Sequence, residues 1–246
     1  VRTAFFTESR TTEGDVFELV TLGVGALIFS TLIFRVVEQR EAQIRLQTQQ
    51  LAALREAALA LTTELDLGAV LQKVVDLSRG LVNARYGALG VLDEQGKHIE
   101  QFIASGISPE QRARLGDPPR GHGLLALLIK EGTPLRVADI GTHPRSAGFP
   151  PNHPPMHTLL GVPIASKGRV IGDLYVTDKQ PDGYGASTGG VTPPLHYTTI
   201  TEQDERVLEM FATQAAIAIE NAQLYRQTQQ LSILQERERF GMRRAA

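Results

Sequence analysis

The chain has 246 residues, 42% hydrophobic and 21% charged, proportions that exclude wholesale disorder or collagen-like repetition and suit one domain with extensions. A formal net charge of -2 with no Lys/Arg-rich run offers no electrostatic footprint for nucleic acid. The absence of cysteine removes disulfides, thiol nucleophiles, thiolate zinc sites and iron–sulfur clusters, so any metal or nucleophile chemistry falls to His, Ser or carboxylates.

The opening Val1 implies a piece of a longer protein, with residues 1–15 as an extracytoplasmic remnant. From Leu19 to Phe34 no residue is charged, and Val16, Phe17, Val36 and Val37 extend the apolar stretch across Glu18 and Arg35. Residues 16–37 therefore read as a transmembrane helix, the alternative being a buried core helix; charged flanks and Gly23/Gly25 favour the bilayer. Acidic Glu8, Glu13 and Asp15 stand where a secretory signal would carry basic residues. Arg35, Arg40, Arg45 and Arg55 follow the span against Arg2 and Arg10 before it, which places the remainder in the cytoplasm under the cytoplasmic membrane. Residues 38–66 lack Gly and Pro after Gln39 until Leu65, and Ile44, Leu51, Ala58 and Leu65 recur every seventh residue, with Leu54 and Leu61 between them. This seam predicts a parallel coiled coil and a homodimer, although ordinary core packing gives the same stripe.

Residues 67–225 form the globular part. A helix is expected over 68–82, strands over 86–92 and 98–105 joined by the turn DEQGK, a short helix over 123–130 and a strand over 135–137. A Pro- and His-rich loop (142–156) follows, then strands over 159–164 and 169–177 separated by ASKG, a hairpin signal. A final helix from Thr201 to about Arg239 opens with a capping hydroxyl and acidic first turn. Its apolar positions Leu208, Phe211, Ala215, Ala218, Ala222 and Tyr225 predict a first half packed on the domain and a second half projecting as a coil. The fold class is α+β: an antiparallel sheet with helices on one face and a crossover on the other, flanked by long terminal helices and one transmembrane helix.

The segments LVNARYGALGVLD, PLRVADI, LLGVPI, RVIGDLYVTDK and AAIAIENAQLY, in that order, resemble a GAF domain. The run GHGLLALLIKEGTPLRVADIGTHPRSAGFPPNHPPMHTLLGVPI is similar to the first, haem-binding GAF domain of the mycobacterial dormancy sensor histidine kinases. The resemblance implies haem, with His153 as proximal metal ligand in the loop FPPNHPPM, Tyr175 as distal polar group on the last strand, and a diatomic gas or redox state as the signal. Such a site is chemically reasonable: Pro150, Pro151, Pro154 and Pro155 restrict the backbone around His153, and haem iron takes a neutral imidazole. On the last strand Ile171, Asp173, Tyr175 and Thr177 are expected on the pocket face, and Val170, Leu174 and Val176 against the helices. Leu124, Leu125, Leu128, Ile129 and Phe149 are the expected apolar walls, Phe149 being counted with His153 and Tyr175 as cofactor-binding; Arg112, Arg114 and Arg120 are candidates for the propionates.

Residues 226–246, with LQERERFGM, resemble the start of a kinase dimerisation helix, which implies a downstream kinase domain and response regulator in the parent protein. The chain itself carries no His after His196 and only Gly241 beyond Gly190, so it holds neither phosphoacceptor nor Gly-rich ATP lid. Other readings stay open. A haem-free pocket for another small ligand, with dimerisation and relay as the main work, fits the same pattern. A zinc site of His143, His153 and His157 is opposed by Pro154 and Pro155, which prevent helical i, i+4 geometry. No Ser/His/Asp spacing supports a hydrolase or transferase, and no GxxxxGK[ST] or GxGxxG supports nucleotide catalysis. His98, His122 and His196 read as solvated, and Pro181–Tyr197 as a flap near Tyr175.

Overall fold

The computed structural model describes residues 2–93, 95–96, 98–115, 123–181 and 197–244. Two compact units divide the chain, Val1–Leu51 and Ala52–Ala246. The first is made by helix α1 (Arg2–Thr62), whose last turns belong to the second unit. Within α1, Phe17–Glu41 is long and apolar enough to cross a membrane: 25 residues, none buried, rising about 37 Å at 1.5 Å per residue.

The second unit continues through α2 (Leu67–Val82), β1 (Ala84–Leu92), β2 (Ile99–Ser105), α3 (Pro109–Arg114), α4 (Leu124–Glu131), β3 (Leu135–Val137), β4 (Leu159–Ser166), β5 (Arg169–Lys179) and α5 (Glu202–Arg244). Local chemistry sets the boundaries. Asp66 caps α2 by accepting from the Ala69 N–H at 2.9 Å, and Asn83 ends it in the left-handed region at φ 54°. Thr201 and Asp204 cap α5 reciprocally: the Asp204 N–H donates to Thr201 Oγ1 and the Thr201 N–H to Asp204 Oδ2. Lys167 and Gly168 make the β4–β5 turn, both at positive φ as a two-residue hairpin requires. Helix α3 is absent from the expected elements; its signal, Ser108 with Gln111 three residues on, is a capping box.

The five strands form one antiparallel sheet in the order β2-β1-β5-β4-β3. One face lies against α2 and α5, where Val70, Leu71, Val74 and Val75 meet Leu89, Leu160, Val162, Leu174, Val176, Leu208 and Phe211 in one apolar core. The helical ends that flank the sheet are stitched to it by Arg79, which donates to Ser105 Oγ at 2.8 Å, while Ser105 donates to Asp76. Helix α4 packs on β4 and β5 from the opposite face. There Gly161 is required by close approach, since a Cβ would collide with the Leu128 side chain.

Three expectations are corrected. Leu61 is buried in this core and Leu54 packs on its edge, while Leu65 lies past the end of α1, so these three do not continue the seven-residue seam of Ile44, Leu51 and Ala58. Ile171 does not share the face of Asp173: the β4–β5 register shifts after Ile164, a bulge takes up Ile171, and its side chain turns to the helical core. Tyr225 is exposed rather than packed, because α5 leaves the core after Ala222; from Leu224 to Glu236 its side chains face solvent.

Candidate functional site

The crossover from α3 through the Pro-rich loop roofs the second sheet face and encloses a cavity of about 450 Å³, within the range of small-molecule sites. Its floor is sheet: Tyr86, Gly87 and Ala88 of β1, Phe102 and Ala104 of β2, Leu159 of β4, and Tyr175 and Thr177 of β5. Antiparallel register sets these side by side, since Ala88 pairs with Tyr175 and Tyr86 with Thr177. The rest of the wall comes from Ile107, Arg112 and Leu115, from Leu124 and Leu125 of α4, and from Ile140, Ser146 to Pro150, His153 and Met156.

His153, Tyr175 and Phe149 all line this one cavity. The loop holds His153 by a tight turn: its N–H donates to the Pro150 carbonyl at 3.2 Å, with Pro151 at the first central position and Asn152 at φ 66° at the second. That is the arrangement of a type II turn, in which proline presets one dihedral and Asn tolerates the other. The imidazole stacks on Phe149, centroids 4.7 Å apart and planes at 17°. Its Nδ1 lies 2.8 Å from the Pro154 carbonyl oxygen, which can only accept. Nδ1 therefore carries a hydrogen, and in the neutral ring the lone pair falls on Nε2, the form in which a histidine ligates a metal.

Tyr175 is half-buried, with the Phe102 ring 6.4 Å away. Burial, and secondarily the nearby Asp173 carboxyl, holds its phenol proton well above the usual range, so the hydroxyl remains a donor. Burial likewise raises Tyr86. Arg112 is the cation in the wall among the described residues, donating to the Phe102 carbonyl at 3.3 Å. Arg114 is not in the wall, and Arg120, His122, His196 and the greater part of the Pro181–Tyr197 segment lie outside the described residues.

Two of the expected walls go elsewhere. Leu128 is buried against Gly161, and Ile129 does not line the cavity. The remaining histidines are dispersed: His143 Nδ1 accepts from the Arg145 N–H, His157 stacks on Tyr197 at 4.4 Å and faces Asp178 at 3.5 Å, and exposed His98 pairs with Asp93. Among the described residues no group of three His, Asp or Glu is placed to hold a metal ion, and His143, His153 and His157 have separate partners. Thr177 lines the cavity as the alternation along the last strand predicts, whereas Tyr86, Phe102, Ile140 and Met156 are not among the expected walls; strand register and loop closure bring them in, and neither leaves a local pattern.

The donor set suits a haem in kind: one imidazole with a free Nε2, a phenol donor on the sheet, apolar walls, and a cation at the side. Residues 64–220 match the family model described as GAF domain. Among solved structures the chain is similar to the GAF domain of an Acinetobacter phosphoenolpyruvate-protein phosphotransferase, with TM-score 0.55, 21% identity, and coverage of 72% of this chain and 95% of that one. It is similar to free methionine-R-sulfoxide reductase from Neisseria meningitidis in complex with its substrate, with TM-score 0.53, 17% identity, and coverage of 70% and 89%. A methyl-accepting chemotaxis protein, residues 122 to 287, matches with TM-score 0.53, 15% identity, and coverage of 68% and 97%.

Proposed function

The chain belongs to the GAF domain family, and on that premise we propose that it is the sensory module of a membrane-anchored sensor histidine kinase, binding haem and responding to a diatomic gas or to redox state. The observation that carries this reading is the His153 imidazole on the cavity wall, its Nδ1 spent on the Pro154 carbonyl and its Nε2 free. His153 would hold the iron, Phe149 stacks on the ring and fixes its plane, and Leu124, Leu125, Ile140 and Met156 exclude water. Haem supplies an iron that takes a diatomic ligand, chemistry that no side chain of this chain offers. Tyr175 presents a phenol that keeps its proton and can donate to a bound polar atom. Reconstitution of the full chain in detergent with haem is expected to give a Soret band. His153→Ala should weaken binding by more than the about 10–100-fold that loss of an outer-shell partner costs a metal site. An unchanged band and affinity in that variant would remove His153 from the site, and a colourless wild-type protein would sink the haem reading.

The signal leaves through helices. Phe17–Glu41 of α1 serves as the anchor in the cytoplasmic membrane, with the arginines after it on the cytoplasmic side. A homodimer is supported by a stripe on α5 that the domain leaves uncovered: Met210, Ile217, Leu224 and Leu231, seven residues apart and each at least two-fifths exposed. Ligand binding that favours one packing of the paired helices by about 1–3 kcal/mol is enough to bias a kinase and its response regulator downstream. Leu224→Glu combined with Leu231→Glu should convert dimer to monomer in sedimentation of the full chain. A mass unchanged by both charges would exclude this stripe as the interface.

A further inference from the structure

Strand β5 sets Asp173, Tyr175 and Thr177 in a row on the cavity side of the sheet. Asp173 is completely shut in, with no exposed surface, and no side chain partners its carboxylate; only the backbone N–H groups of Asp173 and Gly90 lie near enough to favour its charge. Neighbouring strands make room for it. Its register partner on β1 is Gly90, where a Cβ would collide with Asp173 Oδ1, and its partner on β4 is Pro163. Ile99 at the start of β2 closes over Gly90. Helix α4, which packs on β4 and β5, ends against Val170 near the start of β5, and the titratable groups it brings there, Lys130 and Glu131, are exposed. The ionisable groups that share this face are therefore Tyr175, two residues along, and then Tyr86 on β1. Buried carboxyls are normally partnered, and one that is not calls for a reason other than stability.

We propose that Asp173 is a positioning residue for the cavity, whose protonation state governs, through Tyr175, how the Tyr175 hydroxyl meets an occupant. Burial pushes the Asp173 carboxyl up to about 7, with the backbone N–H groups of Asp173 and Gly90 working against it. While Asp173 is neutral, the phenol is free to donate into the cavity. Once Asp173 ionises, an uncompensated negative charge lies beside Tyr175 on the same strand face, and electron-rich or anionic occupants at that end are repelled. The consequence for occupancy rests on the haem reading above; the coupling of Asp173 to Tyr175 does not.

Five tyrosines and no tryptophan make tyrosine fluorescence a direct probe. The full chain in non-ionic detergent, titrated without ligand between about pH 5 and 9, should show an emission step centred near the Asp173 midpoint, since an ionised carboxylate quenches a neighbouring phenol. Asp173→Asn and Tyr175→Phe should each abolish that step. A step that survives in either variant, or its absence from the wild type, overturns the proposal. In the haem-loaded protein, azide affinity should fall between pH 6 and pH 8 more steeply in the wild type than in Asp173→Asn, by about three- to tenfold. Equal slopes in the two proteins count against the proposal. A chain that takes up no haem fails the preceding reading, and the ligand-free titration then decides the coupling by itself.

Discussion

Asp173→Asn is expected to be more resistant to unfolding than the wild type at pH 8 and to lose that advantage at pH 5. The folded wild type holds the Asp173 proton up to about 7, whereas an ordinary aspartate releases it at 3.8. Between those values the unfolded chain is ionised and the folded chain is not, so unfolding releases a proton and stability declines as pH rises; above the upper value the loss is complete. At 1.36 kcal/mol per unit the ceiling of that loss is about 4 kcal/mol. Asparagine never ionises and escapes the decline, but its buried amide costs about 1–3 kcal/mol in unmet hydrogen bonds at every pH. Urea unfolding of both proteins from pH 5 to pH 8 should therefore show the difference moving in favour of the variant by about 2–4 kcal/mol. Parallel curves, with a difference independent of pH, would show that Asp173 is an ordinary ionised carboxylate.

Phe211→Ala is expected to cost about 3–5 kcal/mol, the largest loss from a single truncation in the domain. Phe211 is fully buried and is the biggest side chain in the core where α5 crosses α2 and β4. Apart from Leu208 and Ile219, α5 adds small residues to this core, Ala212, Ala215, Ala216, Ala218 and Ala222, which permit close approach but cannot spread to fill the space an absent ring would leave. Leu224→Ala on the outer stripe is the matched control, since it removes no packing within the domain and should change stability by less than about 0.5 kcal/mol at dilutions where the chain is monomeric. Denaturant midpoints for the two variants give the comparison. A Phe211→Ala cost below about 1 kcal/mol would mean that α5 is not part of the folded core.

Both residues show what sequence pattern reveals and what it hides. Alternation along β5 correctly divides Asp173, Tyr175 and Thr177 from Leu174 and Val176, because period-two geometry is a property of any extended strand. The same alternation fails at Ile171, where a bulge adds one residue to the strand beside Gly172. On α5 the inner stripe of Leu208, Phe211, Ala215, Ala218 and Ala222 is legible, while the outer stripe from Met210 to Leu231 overlaps it in period and emerges only when burial separates the faces. In α1 the packing of Leu61 in the core and of Leu54 on its edge could not be told from a coiled-coil seam, since both uses demand apolar residues three and four apart. His153, Phe149 and Tyr175 could be picked out through the resemblance carried by FPPNHPPM and RVIGDLYVTDK, since a histidine among prolines or a tyrosine in a strand has an ordinary structural use as well. Asp173 gave no comparable signal: an aspartate in a strand looks like any solvent-facing charge until Gly90 and Pro163 are found on either side of it.

The two-sidedness of β5 has a mechanical meaning. One ribbon of main chain separates the chamber from the helical bed, with Tyr175 and Thr177 hanging into the first while Leu174 and Val176 are embedded in the second. A guest that tilts or displaces this ribbon therefore disturbs α2 and α5 in the same movement, with no intervening chain of residues to carry the message. Transmission distance is the thickness of a pleat.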